Sequence, residues 1–299
     1  MFRLSPWRTA LSTLVLSAHG HHGGSKRSAA IGSILLVMAM FVACGDDDSD
    51  ISTKPSDDSS SSVCEDCDDD SSSSSSSAKL SSSVTLATPC KTETEDNCKY
   101  GKLVDDRDGQ TYKTVKIGNQ WWMAENLNFE TDSSFCYMDS TEYCEKFGRL
   151  YMWAAAVGKP EIECGYGIIC SLPSELVQGV CPENWHLPSR GEWEMLYAAV
   201  GGESMVGKVL KSSSGWKEYN GQSGNGTDAF GFSALPVGYR RYDGNSYYEG
   251  YDAYFWSSTE VTLYHGYYAF GMDLYNGSDG VRLYYDYRNA SYSVRCLKD

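Results

Sequence analysis

The first 43 residues contain no carboxylate, and the 299-residue chain is poor in positive charge, with 25 lysines and arginines against 40 aspartates and glutamates. A formal net charge of −15 repels phosphate backbones and anionic bilayer surfaces, which removes nucleic acid from the expected partners. No apolar run is long enough to cross a bilayer: the best, residues 29–43, has 15 residues where about 20 are needed. Histidine is scarce, and only His186 and His265 lie beyond residue 22. There is a single Cys-x-x-Cys, at Cys64 and Cys67. No paired ligand set for structural zinc results, and no metal or cofactor is expected. The Gly-x-Ser-x-Gly elbow of serine hydrolases is also missing, since Gly231-Phe232-Ser233-Ala234-Leu235 lacks the second glycine.

What is present is unevenly spread. Lys26 and Arg27 precede the apolar run 29–43, an arrangement that fits a signal h-region. The run ends Phe41-Val42-Ala43-Cys44, which resembles a lipobox, with Phe41 in place of the usual leucine. The expectation is loss of residues 1–43 and lipidation of Cys44, so that the membrane becomes a partner through a lipid anchor. Residues 44–98 carry 14 carboxylates against Lys54, Lys79 and Lys91, with seven consecutive serines at positions 71–77. Such a segment buries too little apolar surface to offset its conformational entropy, so a disordered, self-repelling tether is expected. Cys64 and Cys67 lack the βαβ context of a redox motif and are expected to form a small linker disulfide.

Residues 99–299 are expected to form the folded domain. Ten cysteines follow Cys44, an even number that suits a disulfide framework in an exported chain. Spacing alone does not dictate connectivity. The pairs expected are Cys136 with Cys144, Cys164 with Cys170, and Cys181 with Cys296. Residues 108–117 suggest a turn and strand, Gly118-Asn119 a hairpin turn, and residues 120–123 the returning strand. Ser189-Arg190-Gly191-Glu192 spells a capping box, and Trp193, Leu196, Tyr197 and Val200 follow at helical spacing, closed by Gly201-Gly202. A shorter helix is expected over 151–157. The runs 230–239, 253–258, 267–274, 281–287 and 292–297 are short, aromatic and separated by Gly, Asn and Asp. They suggest short antiparallel strands, and with the two helices an α+β domain.

Six ordered blocks carry a resemblance. They are Asp108-Gly109-Gln110-Thr111-Tyr112; Trp121-Trp122-Met123-Ala124-Glu125-Asn126-Leu127; Gly148-Arg149-Leu150-Tyr151 with Trp153; the segment from Cys181 to Ser189; Phe255-Trp256-Ser257-Ser258-Thr259; and Ser293-Val294-Arg295-Cys296. Together they resemble the Fibrobacter succinogenes major paralogous domain. That family is in turn similar to formylglycine-generating-enzyme and C-type-lectin-like folds, which implies such a fold here. The resemblance also implies a secreted or surface protein of a cellulose-degrading bacterium, with no assigned chemistry.

Signatures of catalytic chemistry are mostly missing from the sequence. Formylglycine-generating enzymes use a cysteine pair near the C-terminus, whereas Cys296 is the only cysteine after Cys181. His186, beside Trp185 and Pro188, suits a structural role better than a catalytic one. The Asn/Asp-rich loops 220–228, 243–252 and 276–279 offer calcium-type oxygens but match no EF-hand. The aromatics are more suggestive, since 14 of the 22 tyrosines lie between Tyr239 and Tyr292. Alternating tyrosines within 267–287 are ordinary strand residues. Tyr242, Tyr247, Tyr248 and Tyr251 crowd a Gly/Asp-rich stretch that is expected to loop outward and bind a ligand. The expectation is a non-enzymatic, outward-facing outer-membrane lipoprotein that binds extracellular polysaccharide, plant-wall polymer foremost. The alternative is a structural or protein-interaction module of the envelope, and a hydrolase or oxidase comes third.

Overall fold

The computed structural model describes residues 85–173 and 176–299. Residues 1–43, Cys44, the Cys64/Cys67 pair and most of the tether lie outside the described residues. The fold is α+β, with three antiparallel sheets, five α-helices and four disulfides among the described residues.

The first sheet has the order β1 (Tyr100–Val104), β2 (Thr111–Ile117), β3 (Gln120–Met123) and β12 (Leu297–Lys298). The β2–β3 hairpin turns at Gly118-Asn119, where Gly118 takes the positive φ that two-residue hairpins ask of their first turn position. Trp122 is fully buried while Trp121 stays partly exposed, as strand alternation requires. A second sheet, of small strands, runs β4 (Ser134–Phe135), β5 (Leu150–Met152), β11 (Ser291–Tyr292), β6 (Tyr239–Arg240) and β7 (Ser246–Tyr247). The third, with the longest strands, runs β10 (Arg282–Tyr287), β9 (Tyr268–Tyr275) and β8 (Asp252–Glu260), which leaves β10 at an edge.

Helix α4 (Arg190–Ala199) has the expected capping box. The Ser189 hydroxyl accepts from Glu192 N–H, and Glu192 Oε2 accepts from Ser189 N–H at 2.7 Å. Its Trp193, Leu196 and Tyr197 pack with Phe255, Met272 and Leu274 of the third sheet. The sheet's other side faces a second core containing Tyr151, Trp153, Trp256 and Tyr292. The third sheet is therefore covered on both faces over its inner half.

Several expectations need correction. Among the described residues five helices form rather than two: α1 (Thr141–Phe147), α2 (Trp153–Ala156), α3 (Glu161–Cys164) and α5 (Val206–Leu210) join α4. None of the four exceeds seven residues, too short to show a helical period. The helix expected over 151–157 starts only at Trp153, because Tyr151 pairs with both Ser134 and Tyr292 as a strand residue. Sheet pairing here overrides helix propensity. The strand expected over 230–239 is an irregular core segment until Tyr239, since Gly231 and Ser233 both take positive φ. The ordered unit also starts before residue 99. Ala87 N–H bonds to Ala199 O and Cys90 N–H to Ala229 O, Cys90 is bonded to Cys98, and Lys91 pairs with Asp228 at 2.5 Å.

The other disulfides join Cys136 to Cys144, Cys164 to Cys170 and Cys181 to Cys296, the pairs expected above. Such bonds belong to an oxidising compartment. Among the described residues no helix is long and apolar enough to cross a membrane.

Candidate ligand-binding surface

The tyrosine-rich stretch does not open into one loop. Ser246–Tyr247 pairs with Tyr239–Arg240 as a small hairpin. Tyr247 and Tyr248 lie against Tyr239 at 5.8 and 5.9 Å between ring centroids, and Tyr247 is only half-exposed. Tyr242 is 67% exposed beside Arg241, and Tyr251 lies under Lys217 Nζ at 4.5 Å. Three of the four rings reach the surface, but their contacts lead to different neighbours.

A larger aromatic surface lies on the third sheet, on the side facing α4. Register puts Tyr268 opposite Tyr287, Phe270 opposite Tyr285 and Met272 opposite Leu283. Met272 goes under α4. The helix begins at Arg190, whose guanidinium sits 4.6 Å over Phe270, and the rings beyond it are uncovered. Tyr166, Tyr264 and Tyr267 extend the set. Centroid steps of 4.8 Å from Tyr267 to Tyr166, 5.7 Å to Tyr287, 4.6 Å to Tyr268, 5.3 Å to Tyr285 and 6.3 Å to Phe270 form an unbroken run. Tyr264 stands 5.5 Å from Tyr285. Tyr166, Tyr264, Tyr267, Tyr285 and Tyr287 are each 39–44% exposed. Partial desolvation, then the neighbouring phenols of Tyr287, Tyr267 and Tyr242, push the Tyr166 hydroxyl up.

The sequence expectation assigned the tyrosines within 267–287 to ordinary strands and gave Tyr166 and Tyr264 no role, so this surface was missed. The available signal was adjacency. Tyr284-Tyr285 are consecutive on the edge strand β10, and alternation cannot bury both members of such a pair in an edge strand.

The opposite side of the same sheet treats tyrosine differently. Tyr254, Asp273 and Arg282 form one cross-strand row. Tyr254 donates to Asp252 at 2.8 Å, Tyr292 donates to Asp286, and the Tyr284 and Tyr292 hydroxyls lie 3.1 Å apart. Burial pushes all three phenols up. It also pushes the Asp273 carboxyl up to about 7; Arg282 opposes this, while Asp252 and Asp286 add to it.

Other candidate residues are tied into the scaffold. His186 Nε2 lies 2.8 Å from Glu192 Oε1, and its backbone bonds to Leu297 in both directions. Burial disfavours the Glu192 charge, but hydrogen bonds from His186 and Ser189 more than offset it, so its carboxyl lies below the ordinary range. Asp299 completes a trio whose ligand-type atoms lie within 4.8 Å of one another. Both Glu192 oxygens are already engaged at the start of the helix, and Asp299 Oδ1 accepts from Gln120. In the Asn/Asp-rich loops, Asp228 accepts from Ser233, Asn276 donates to Lys217 O and Glu218 O, and Asp243 pairs with Arg241.

The blocks that carried the resemblance also converge inside. Buried Arg295, lowered to about 9 by burial, donates to Asn126 Oδ1 at 2.6 Å and to the carbonyls of Met123, Phe232 and Ser233. Trp256 Nε1 donates to Tyr151 O at 2.7 Å, and Trp153 Nε1 to Ser257 O at 2.9 Å. These residues join one block to another at the centre of the domain. Comparison with curated proteins and with solved structures gives no match. The Fibrobacter succinogenes major domain profile matches residues 115–298, more than half of the chain and including these convergent blocks, and the chain therefore belongs to the Fibrobacter succinogenes major domain family.

Proposed function

We propose that this chain is a cell-surface lipoprotein whose C-terminal domain holds an extracellular polysaccharide, plant-wall polymer foremost, without altering it. Cys44 becomes the acylated N-terminus after residues 1–43 are removed, an outer-membrane anchor follows, and residues 45–84 act as spacer. The domain takes a C-type-lectin-like arrangement related to that of formylglycine-generating enzymes. The observation that carries this reading is the unbroken run from Tyr267 through Tyr166, Tyr287 and Tyr268 to Tyr285. A sugar ring presents a flat C–H face that lies on such rings, while its hydroxyls meet the phenol tips. Clustered exposed aromatics of this extent mark interaction surfaces. Sedimentation of the purified protein with insoluble cellulose, xylan and pectin tests the reading: at least one polymer should retain it, and retention by none would reject it.

A second reading, docking onto an envelope protein, draws on Leu263 and Ile169, which are 81% and 71% exposed. Aliphatic contacts of this kind suit a protein partner better than a sugar. Cross-linking in intact cells that captures the chain on a single envelope protein, together with no polysaccharide retention, would favour it.

A further inference from the structure

Strand β10 ends the third sheet, and no strand lies along its outer edge among the described residues. An antiparallel strand turns alternate residues toward its neighbour. Arg288, just after β10, donates its N–H to Tyr267 O on the β9 side. The even-numbered residues therefore bond inward, and Val281, Leu283, Tyr285 and Tyr287 direct their N–H and C=O groups outward. Two of these N–H groups are already engaged, that of Val281 by Glu203 O and that of Tyr287 by the Asp286 carboxylate. No hydrogen bond among the described residues takes the outward groups of Leu283 or Tyr285. What remains is a short free edge centred on Tyr284. Edges are ordinarily guarded by charge, and β10 carries Arg282 and Asp286 on one side, two residues before and two after Tyr284. Their signs are opposite. The Arg282 side chain is 55% exposed even while it reaches Asp273. Asp286 accepts from Tyr284, Tyr292 and the Tyr287 N–H, which are all neutral donors.

We infer that β10 pairs antiparallel with β10 of a second copy of this chain, about a twofold axis at Tyr284, so that the two third sheets become one. Only this register uses every free group. Leu283 lies opposite Tyr285 of the second copy, and each such pair exchanges both of its hydrogen bonds. Moving the axis to Tyr285 or to Leu283 would set a free carbonyl against Tyr287 or Val281, whose N–H is already bonded. The same register puts Arg282 opposite Asp286 of the second copy, at both ends of the ladder, and opposite charges stabilise a cross-strand pair. A charge pattern that would repel most strands is thus complementary to itself. The axis stands perpendicular to the sheet, so Tyr285 and Tyr287 of both copies face the same way. The inference does not rest on the polysaccharide proposal, since it uses backbone groups and charges on the side of the sheet away from the exposed phenols.

Sedimentation equilibrium of the full chain as expressed, in density-matched detergent, tests the pairing. The native protein should show a reversible monomer–dimer equilibrium. Arg282→Glu sets like charges opposite each other at both ends of the ladder, and so does Asp286→Lys; each should weaken dimerisation at least tenfold. An equimolar mixture of the two variants should recover dimers of native strength, because each altered side chain then meets its opposite sign. Loss of local structure alone would give no such recovery. If either variant lacks an intact melting transition, Leu283→Pro decides. It removes one outward N–H without touching the β9 ladder and should also weaken dimerisation at least tenfold. A native protein that stays monomeric up to about 1 mM overturns the inference, as do folded variants that dimerise like the native protein. A mixture of folded variants that stays monomeric overturns the register.

Discussion

Strand β10 carries tyrosine on both sides, and the two sides use it differently. Tyr284 points to the interior side, where its hydroxyl meets Tyr292 and burial pushes it up. Tyr285 and Tyr287, its neighbours along the same strand, remain more than two-fifths exposed. Residue type and backbone are the same on both sides, so the difference lies in what covers them. On one side the core of Trp256, Tyr292 and Tyr151 closes over the strand; on the other, α4 stops at Arg190. The covered phenols organise carboxylates, and the uncovered ones form a surface. If this contrast is correct, substitutions of the covered rings should act on stability and those of the open rings on polysaccharide binding alone.

The largest effect expected is on the covered scaffold. Replacing both Cys181 and Cys296 with serine opens a link of sequence separation 115, which should cost about 4–5 kcal/mol in chain entropy. Denaturant melts of the double variant would measure it. Trp193→Ala removes a fully buried ring that packs 4.9 Å from Trp122 and 6.1 Å from Phe255, and should cost ~3–5 kcal/mol.

Asp273 offers a test in pH. Its folded carboxyl is raised to about 7, against about 4 in an unfolded chain. Between those values the folded state binds the proton more tightly, so stability should fall as pH rises through this window. Above about 7 the loss is complete. Thermal melts at pH 5 and pH 8 should therefore differ more for the native protein than for Asp273→Asn. An equal difference in both proteins would mean that Asp273 is charged throughout.

Smaller effects should come from Ser189→Ala, which removes the N-cap of α4 and should cost ~1 kcal/mol. Substituting Tyr285 or Tyr287 with alanine should change stability by roughly 0.5 kcal/mol or less, as for surface positions in general. A cost near that of Trp193→Ala would place those rings in the core and dissolve the contrast between the two sides.

Local signals were legible in proportion to how local their causes are. The β2–β3 hairpin and the capped helix each depend on a few adjacent residues, Gly118-Asn119 and Ser189 with Glu192, and both formed as expected. The strand at Tyr151 was not legible, because its partners Ser134 and Tyr292 are remote in the chain. The motif blocks identified the family because they are interlocked interior residues, Arg295 on Asn126 and Trp256 on Tyr151. For the same reason they say nothing about ligands. The exposed phenols lie outside those blocks, and their exposure depends on where α4 ends relative to the third sheet. That relation exists only in three dimensions.

The most direct test compares two triple variants on whichever polysaccharide retains the native protein. One replaces Tyr166, Tyr285 and Tyr287 with alanine, and the other replaces Tyr247, Tyr248 and Tyr251. With melting curves close to native for the first, its retention should fall at least tenfold, while the second should keep most of it. Full retention by the Tyr166/Tyr285/Tyr287 variant would contradict the assignment of binding to the open side of the third sheet.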